Sequence, residues 1–497
     1  MTSTATLCQC VLTLAASFTF LATAHAQSAG ASTTAPTAHQ TVPALFLSDI
    51  HLDPFADPAK VAKLNAAPAD EWPSILAAPA SPTQAKDFAE LISACQSKGV
   101  DTSWTLWQSS LKAIHDNASQ ALFVTISGDL LAHNFDCKFQ KMLPAAKPAD
   151  YLAFAEKTVR AIVGTLRAAL PGVPVYVAMG NNDTGCRDNS LDATHDAFLG
   201  LIAKIVAEAL PSEDRATVLR DFADGGYYDV PLPYAVPKTR LLVIDDLYFS
   251  AKYTTCAGKG DASPAAAQLA WLASQLASAR QHKEHVWVMG HIPPGVDLYG
   301  SAKKNVNVCG AAGPQMYLAS ESLADLLVQY ADIVRLAIFG HTHADEMRLL
   351  TPESVSANTS VQSAQGVPLK IIAPITPISL NRSSITLASI DPTTATMVDY
   401  SVFTASNLTG IQATWSKEYS FSTTYHVPAY DAVSLAHLIP ELQADHGIKT
   451  AASQAYVNNF FRGDVVPLFR LAWPMYACSL QHDSMASFNA CACSGTK

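Results

Sequence analysis

Short apolar runs recur along the chain, and each one stops abruptly at polar residues. The runs are rich in Val, Ile, Leu and Phe, and they have the length expected of strands that are buried on both faces of a sheet. They cover Pro43–Leu47, Ala121–Ile126, Val173–Met179, Val286–Met289 and Leu336–Phe339. Helical patterns occupy Thr83–Lys98, Tyr151–Leu170, Ser263–Lys283 and Glu321–Ala331. This alternation of strand and helix predicts a layered α/β domain.

The N-terminal residues have the pattern of an export signal. Residues 1–26 contain no Lys, Arg, Asp or Glu, and the apolar stretch Val11–Ala24 leads into the small-x-small sequence Ala24-His25-Ala26. We interpret residues 1–26 as a signal peptide, although its first ten residues lack the usual basic side chain; a buried N-terminal helix is the alternative. No later segment has about 18 uninterrupted apolar residues, so we expect no transmembrane segment and a secreted or periplasmic protein.

Composition divides the rest of the chain into three parts. Residues 27–42 are small and polar, which predicts a linker. Residues 43–406 carry the α/β pattern and predict the main domain. Residues 407–497 predict a small helical C-terminal subdomain that contains cysteines, with helical stretches at Asp431–Leu442 and Ala452–Phe461.

Charge and cysteine content narrow the class of protein further. The chain has 32 Lys and Arg against 42 Asp and Glu, a net charge of −10, and 49% hydrophobic residues. The hydrophobic content excludes general disorder, and the acidic balance argues against a nucleic-acid partner. Two of the ten cysteines fall in the predicted signal, and the remaining even number favours disulfides in an exported protein. Reduced, buried thiols are the alternative if the protein is not exported.

Potential metal ligands follow every one of the apolar runs. The blocks are Asp49-Ile50-His51, Gly128-Asp129 with His133, Gly180-Asn181-Asn182-Asp183, Gly290-His291 and Gly340-His341-Thr342-His343. Strand ends in an α/β sheet converge on one edge, so these side chains are expected to meet there. Oxygen and imidazole ligands without a thiolate suit Zn²⁺, Mn²⁺ or Fe rather than Ca²⁺. A single block is more often a capped strand end; the signal lies in five blocks in a set order.

In that order the blocks resemble the calcineurin-like metallophosphoesterase superfamily, whose blocks are D-x-H, G-D, G-N-H-[ED], G-H and G-H-x-H. Four longer segments are similar to its acid sphingomyelinase-like phosphodiesterase branch, which also holds endopolyphosphatases. They are residues 128–133, 225–228, 290–295 and 339–346. The resemblance runs from about residue 44 to 410. It implies that residues 43–406 form a catalytic domain with a four-layer α-β-β-α sandwich of two mixed sheets flanked by helices.

The resemblance also implies two divalent transition-metal ions, with zinc favoured over manganese or iron. The first would be held by Asp49, His51, Asp129 and His343, and the second by Asp129, Asn181, His291 and His341. Asp129 would bridge the two ions, and a hydroxide between them would attack phosphorus. No protein nucleophile is then required.

One block departs from the family pattern. Asn182 replaces a histidine that commonly contacts phosphate and protonates the leaving group, and an amide cannot supply a proton near neutral pH. His133 is the best remaining general acid, although it could also be a structural loop histidine. With weak general-acid catalysis, substrates with good leaving groups should be favoured. Phosphoanhydrides and activated esters have such leaving groups, whereas simple alkyl phosphates do not.

The same resemblance suggests how some cysteines pair. Cys137 and Cys186 would both lie at the rim of the site, which suggests a disulfide between them. Cys256 and Cys309 flank the Gly290-His291 block as family cysteines do, and we expect them to pair. The connectivity of Cys95, Cys478, Cys491 and Cys493 stays open.

The sequence therefore predicts a secreted, monomeric phosphodiesterase or phosphoanhydride hydrolase of the sphingomyelinase-like type. Its substrate would be a small phosphorylated molecule: a phosphodiester, a nucleotide, a phospholipid headgroup or polyphosphate. The alternatives are a broad-specificity phosphomonoesterase and a catalytically degenerate binding module, of which Asn182 would be the first sign. The intact residue types at all seven ligand positions weigh against degeneration.

Overall fold

The fold is described from a computed structural model, which covers residues 41–193, 196–352, 366–461 and 466–493. The predicted signal peptide and all but the last two residues of the predicted linker lie outside these ranges. The strands are β1 (Val42–Leu47), β2 (Val124–Ser127), β3 (Val175–Ala178), β4 (Tyr228–Pro231), β5 (Thr239–Val243), β6 (His285–Met289), β7 (Val334–Phe339), β8 (Glu346–Leu350), β9 (Val367–Ile371), β10 (Ser384–Ile390), β11 (Met397–Ala405) and β12 (Trp415–Ser420).

Helices surround these strands. They are α1 (Val61–Ala66), α2 (Trp72–Ala77), α3 (Gln84–Ala94), α4 (Trp104–Ala118), α5 (Phe135–Met142), α6 (Pro148–Ala169), α7 (Ala197–Glu208), α8 (Arg215–Gly225), α9 (Ser263–His282), α10 (Leu298–Lys303), α11 (Ser322–Gln329), α12 (Phe421–Tyr425), α13 (Ala432–Ala444), α14 (Ala451–Phe461), α15 (Val466–Ser479) and α16 (Met485–Ala492). In the part of the chain that is described, none of them combines the length and the apolar character needed to cross a bilayer.

The strands form two six-stranded mixed sheets. The first has the order β12-β11-β10-β1-β2-β3, in which β1, β2 and β3 are parallel and β10, β11 and β12 run antiparallel. The second has the order β4-β5-β6-β7-β9-β8, with β5, β6, β7 and β9 parallel and an antiparallel strand at each edge. All five apolar runs are therefore parallel strands, three in the first sheet and two in the second.

The two sheets pack face to face through large aromatic side chains. Trp287 on β6 is fully buried, and its ring lies 5.9 Å from that of Phe46 on β1 and 5.9 Å from that of Phe123. Its indole N–H donates to the carbonyl of Ala395 at 2.8 Å, so the buried polar atom is satisfied. Helices α4 and α6 contact each other and α4 covers β1 and β10, while α9 covers β5 and β6. This arrangement confirms the predicted α-β-β-α sandwich.

The predicted helices lie close to their observed bounds, and the differences have local causes. Helix α9 begins at Ser263 with Pro264 in its first turn and ends at His282, where Lys283 takes the left-handed backbone. Helix α3 ends at Ala94 rather than Lys98, because Gln96 has a φ of 52° that an α-helix cannot accommodate. Strand β12 lies inside residues 407–497 and completes the edge of the first sheet; the other regular elements described there are helices.

The cysteines after residue 26 form four disulfides, which confirms that disulfides are present. The two predicted pairings are wrong. Cys137 pairs with Cys95 rather than Cys186, and Cys256 pairs with Cys186 rather than Cys309. The other bridges are Cys309–Cys493 and Cys478–Cys491. Two cysteines near the rim of the same site do not necessarily pair. A disulfide needs Cα atoms close together, and in these four bridges they are 5.6–5.8 Å apart. Which cysteines come that close depends on how distant loops pack.

Replacement of Trp287 by alanine should lower the free energy of unfolding by about 3–5 kcal/mol, because it opens a cavity between the two sheets. Urea unfolding followed by far-ultraviolet circular dichroism measures the change. The matched control is Trp271→Ala on α9, a partly exposed tryptophan that should cost clearly less. Equal losses in the two variants would contradict a core centred on Trp287.

Candidate metal centre

The ends of five parallel strands bring the predicted ligands to one place between the two sheets. The residues that follow β1, β2, β3, β6 and β7 are Asp49 and His51, Asp129, Asn181, His291, and His341 and His343, respectively. Ligand atoms of Asp49, His51, Asp129 and His343 all lie within 4.8 Å of one another. Those of Asp129, His291 and His341 form a second group by the same measure. Asp129 belongs to both groups, so the two clusters share one carboxylate.

The first cluster has the spacing of a metal coordination shell. Nε2 of His51 lies 3.2 Å from Nε2 of His343, 3.3 Å from Oδ2 of Asp129 and 3.9 Å from Oδ1 of Asp49. Nε2 of His343 lies 3.3 Å from Oδ1 of Asp49. Ligands of a tetrahedral zinc ion, with bonds of about 2.0–2.1 Å, are separated by about 3.3 Å. These residues therefore make a candidate site for a divalent transition metal.

The hydrogen bonds of the histidines leave lone pairs that face each other. Nδ1 of His51 donates to the carbonyl of Leu131, and Nδ1 of His291 donates to the carbonyl of Ser127, each at 2.7 Å. Because a carbonyl can only accept, Nδ1 carries the proton of each neutral imidazole. In that form each Nε2 presents a lone pair, and both Nε2 atoms face Oδ2 of Asp129 at 3.3 and 3.1 Å. Lone pairs that converge in this way repel each other unless a cation lies between them.

Two buried atoms add to this demand for a cation. Among the described residues, Nε2 of His291 and Oδ1 of Asn181 are buried without a hydrogen-bond partner. Nδ2 of Asn181 donates to Asp188 at 2.7 Å, which directs the free amide oxygen away from Asp188. Buried polar atoms in native proteins are almost always satisfied, so a bound metal is the natural partner for both. The donor set of the second cluster fits a metal as well as that of the first.

The electrostatics of the centre lead to the same conclusion. Burial disfavours a charged His51, but the neighbouring Asp129 outweighs burial and raises the pKa of His51 to about 9. For His291 the same balance raises the pKa to about 10. Burial would raise the pKa of Asp129, yet His291 and His51 hold it well below its usual range. The buried carboxylates thus require nearby positive charge, and a metal ion would supply it in place of the protons.

Further buried carboxylates hold the ligand loops in place. Asp183 accepts the backbone N–H groups of Leu130 and Leu131 at 2.8 and 2.9 Å and that of Gly180 at 2.9 Å, so it ties the second loop to the third. Asp246 accepts the backbone N–H of His291 at 2.6 Å. Burial raises the pKa of Asp183 and of Asp246 to about 7.

Sequence reasoning missed Asp246, although a signal was present. The apolar run at residues 241–244 ends in Asp245-Asp246, which is the same pattern of a strand followed by polar residues.

The backbone at the centre is locally strained. Left-handed φ values of 45–72° occur at five of the seven predicted metal ligands, namely Asp49, His51, Asp129, His341 and His343. Such φ values are uncommon for residues with a Cβ. They are found mainly at functional sites, where the surrounding structure holds the backbone in a strained conformation. The glycines of the blocks make room for the carboxylates: a Cβ at Gly180 would lie 2.2 Å from Oδ1 of Asp129, and one at Gly340 would lie 2.7 Å from Oδ2 of Asp49.

His133 lies beside the first cluster and is held by a carboxylate that the sequence did not reveal. Its ring stacks on that of His51 at 4.1 Å, and its side chain is one-quarter exposed. Nδ1 lies 2.9 Å from Oδ1 of Asp101, and the backbone N–H donates to Oδ2 of Asp101 at 2.9 Å. Asp101 is buried and also accepts a hydroxyl from Thr376 at 3.2 Å. Burial and the charge of His51 lower the pKa of His133.

Asn182 is buried and bonded to the shared carboxylate. Its Nδ2 donates to Oδ2 of Asp129, and its backbone N–H donates to Oδ1, both at 2.9 Å. The side chain that replaces the family histidine therefore positions Asp129 in this structure. Its contact with phosphate stays a prediction.

Comparison with known proteins matches the part of the chain that carries the centre. The family model for calcineurin-like phosphoesterases matches residues 42–345, which include all seven predicted ligands. The human cyclic GMP-AMP phosphodiesterase SMPDL3A is 26% identical over 306 residues, which cover 60% of this chain and 61% of that protein. The mouse acid sphingomyelinase-like phosphodiesterase 3b is 23% identical over 398 residues, 79% of this chain and 80% of the relative.

A third relative is named for a different activity. The endopolyphosphatase of Schizosaccharomyces pombe is 26% identical over 276 residues, which cover 53% of this chain and 42% of that protein. The chain thus spans about three-fifths of the human relative and less than half of the yeast one.

The substitution Asp129→Asn should reduce zinc affinity by more than about 100-fold, because it removes the charge that both clusters share. Loss of a residue that only supports a metal ligand already reduces affinity by up to about 100-fold. Zinc retained after equilibrium dialysis, measured by mass spectrometry, is the readout. The control Asp332→Asn changes an exposed carboxylate at Arg280, away from the centre, and should retain zinc like the wild type. Unchanged zinc content in Asp129→Asn would exclude this metal centre.

Proposed function

This chain belongs to the calcineurin-like phosphoesterase family, and we propose that it is an exported, dinuclear-metal phosphoesterase that hydrolyses phosphodiester or phosphoanhydride bonds. The observation that carries the proposal is the pair of buried ligand clusters that share Oδ2 of Asp129. The relatives named phosphodiesterases and endopolyphosphatase support the two bond types. Four disulfides support an oxidising, extracytoplasmic location.

The seven ligands would divide between two metal sites. Asp49, His51, Asp129 and His343 would hold one ion, and Asp129, Asn181, His291 and His341 would hold the other. The nitrogen and oxygen donor set favours zinc, with manganese or iron as alternatives. When bound, such ions supply Lewis-acid stabilisation of phosphate oxygens and activation of a water. Asp183 and Asp246 keep the ligand loops at fixed spacing through their backbone hydrogen bonds.

His133 is the side chain that we propose moves the proton. Asp101 engages Nδ1, which leaves Nε2 as the atom that can release a proton to a leaving group. Because Asn182 cannot donate a proton near neutral pH, His133 would act without a second acid. A lone acid with a lowered pKa favours leaving groups that need little protonation, such as a phosphate or a nitrophenolate. This is the physical reason for placing phosphoanhydrides and activated diesters among the substrates.

Hydrolysis of bis(4-nitrophenyl) phosphate tests the proposal, with 4-nitrophenyl phosphate as the comparison. The zinc- or manganese-loaded protein should turn over the diester with the higher kcat/KM, and removal of metal by a chelator followed by dialysis should abolish the activity. Preference for the monoester would instead identify a phosphomonoesterase. Bound metal without turnover of either ester would identify a binding module.

The substitution His133→Ala should lower kcat for diphenyl phosphate, because phenolate is a poor leaving group that needs a proton. The expected loss is about 100-fold, the smallest effect that is typical when a general acid or base is removed. The effect on bis(4-nitrophenyl) phosphate should be smaller, because nitrophenolate leaves without protonation. Steady-state kinetics on both esters measures the contrast, and Asp101→Asn should show the same leaving-group dependence. The control His437→Ala changes an exposed histidine on α13. Equal losses on both esters would remove the acid role from His133.

A further inference from the structure

A buried lysine lies behind the pair formed by His133 and Asp101. The side chain of Lys138, on α5, is only 1% exposed. Its ammonium donates to Oδ2 of Asp53 at 2.7 Å and lies 3.6 Å from Oδ2 of Asp101. Lysine is almost never fully buried unless its charge is paired, and these two carboxylates provide the pairing.

Asp101 joins this lysine to the metal centre. Its Oδ1 accepts from Nδ1 of His133, and its Oδ2 accepts the backbone N–H of His133, both at 2.9 Å. Among the described residues, His133 and Lys138 are the basic side chains whose nitrogens lie within 4 Å of this carboxylate. The ring of His133 stacks on that of the predicted ligand His51. A series of contacts therefore leads from the buried ammonium to the first cluster of ligands.

Helix α5 fixes the position of the lysine. Phe135 and Phe139, which flank Lys138 in the helix, are buried and pack against other aromatic rings. Cys137, the residue before Lys138, forms a disulfide with Cys95. The ammonium is therefore presented to the carboxylates from a rigid element.

The second partner of the ammonium is also held in place. Oδ1 of Asp53 accepts the backbone N–H of Phe55 at 2.9 Å, and the backbone N–H of Asp53 donates to the carbonyl of Thr102 at 2.9 Å. Burial disfavours the charged form of Lys138, but Asp53 and Asp101 outweigh burial and raise its pKa. One ammonium is thus shared between two buried carboxylates.

We infer that Lys138 is a positioning residue, whose ammonium holds the carboxylate of Asp101 in the orientation that binds Nδ1 of His133 and leaves Nε2 available to the leaving group. The inference rests on the proposed function, because the orientation of His133 affects turnover only if His133 is the acid. A buried carboxylate without a partner is unfavourable, so loss of the ammonium should displace Asp101 from His133. An ion pair with a structural role alone would not affect the dependence on the leaving group.

The test removes the ammonium without leaving Asp53 unpaired. Lys138→Met alone would leave two buried carboxylates without their ammonium and should destabilise the fold. The double variant Asp53→Asn/Lys138→Met instead replaces the pair by neutral side chains of similar size. In the metal-loaded double variant, the ratio of kcat for diphenyl phosphate to kcat for bis(4-nitrophenyl) phosphate should fall about tenfold, within the coupling typical of residues in one network. Zinc retained after equilibrium dialysis should equal that of the wild type.

Two matched variants separate positioning from stability. Asp53→Asn keeps the ammonium beside Asp101 and should keep the wild-type ratio. In the Asp101→Asn background, the double change should not lower the ratio further, because the ammonium acts through Asp101. The role of Lys138 is overturned by an unchanged ratio in the double variant, by an equal fall in Asp53→Asn, by a further fall in the Asp101→Asn background, or by a fall that is accompanied by loss of zinc.

A second measurement keeps this inference distinct from the proposed function. A wild-type protein that hydrolyses neither ester overturns the proposed function. In that case, or if only the nitrophenyl ester is hydrolysed, proton NMR decides the role of Lys138. The downfield resonance of the Nδ1 proton of His133, assigned by its absence in His133→Ala, should persist in Asp53→Asn and disappear in the double variant. Its persistence in the double variant would show that Asp101 keeps its orientation without the ammonium, and would overturn the inference.

Discussion

The carboxylate of Asp129 is the point on which the two sheets converge. It follows β2 in the first sheet, yet its Oδ2 lies 3.1 Å from His291, which follows β6 in the second sheet. The same oxygen lies 3.3 Å from His51. A buried carboxylate that faces two imidazoles needs positive charge beside it, which a metal ion would supply in place of the imidazole protons. The packing of the sheets and the metal chemistry therefore depend on one group. The glycines and the left-handed turns at the strand ends allow the ligand side chains to come this close to Asp129.

The C-terminal helices support the same region through a buried polar network. Tyr476 on α15 donates its hydroxyl to Glu346 at 2.6 Å, and Arg348 bonds both to Glu346 and to the carbonyl of Pro294, in the loop after His291. Lys370 pairs with Asp345, which follows the last predicted ligand, His343, by two residues. These charges are buried but paired, so the network specifies the arrangement of the ligand loops more than it adds to stability. Residues far along the chain thus share in positioning the centre.

The departures from the family pattern change how the centre would select substrates. Asn182 bonds to Asp129 where the family has an acid–base histidine, and His133, oriented by Asp101, is the remaining imidazole at the rim. Under the proposed function, both features would favour good leaving groups. The fold is a property of the family, whereas selection among phosphorylated molecules would depend on side chains such as these.

The sequence by itself determined the parallel strands and the identity of the residues brought to the centre, and its resemblance to a known family implied the sandwich. The first two features are local: an apolar run and the polar residues directly after it specify a buried strand and its functional end. The antiparallel edge strands, such as β8 and β12, have no comparable signal in the sequence. Their mixture of polar and apolar residues is also typical of loops. Only the tertiary structure decided that Asp101 orients His133 and that Cys186 pairs with Cys256. Those contacts join residues 32 and 70 positions apart, and no local pattern encodes which distant loop will pack beside which.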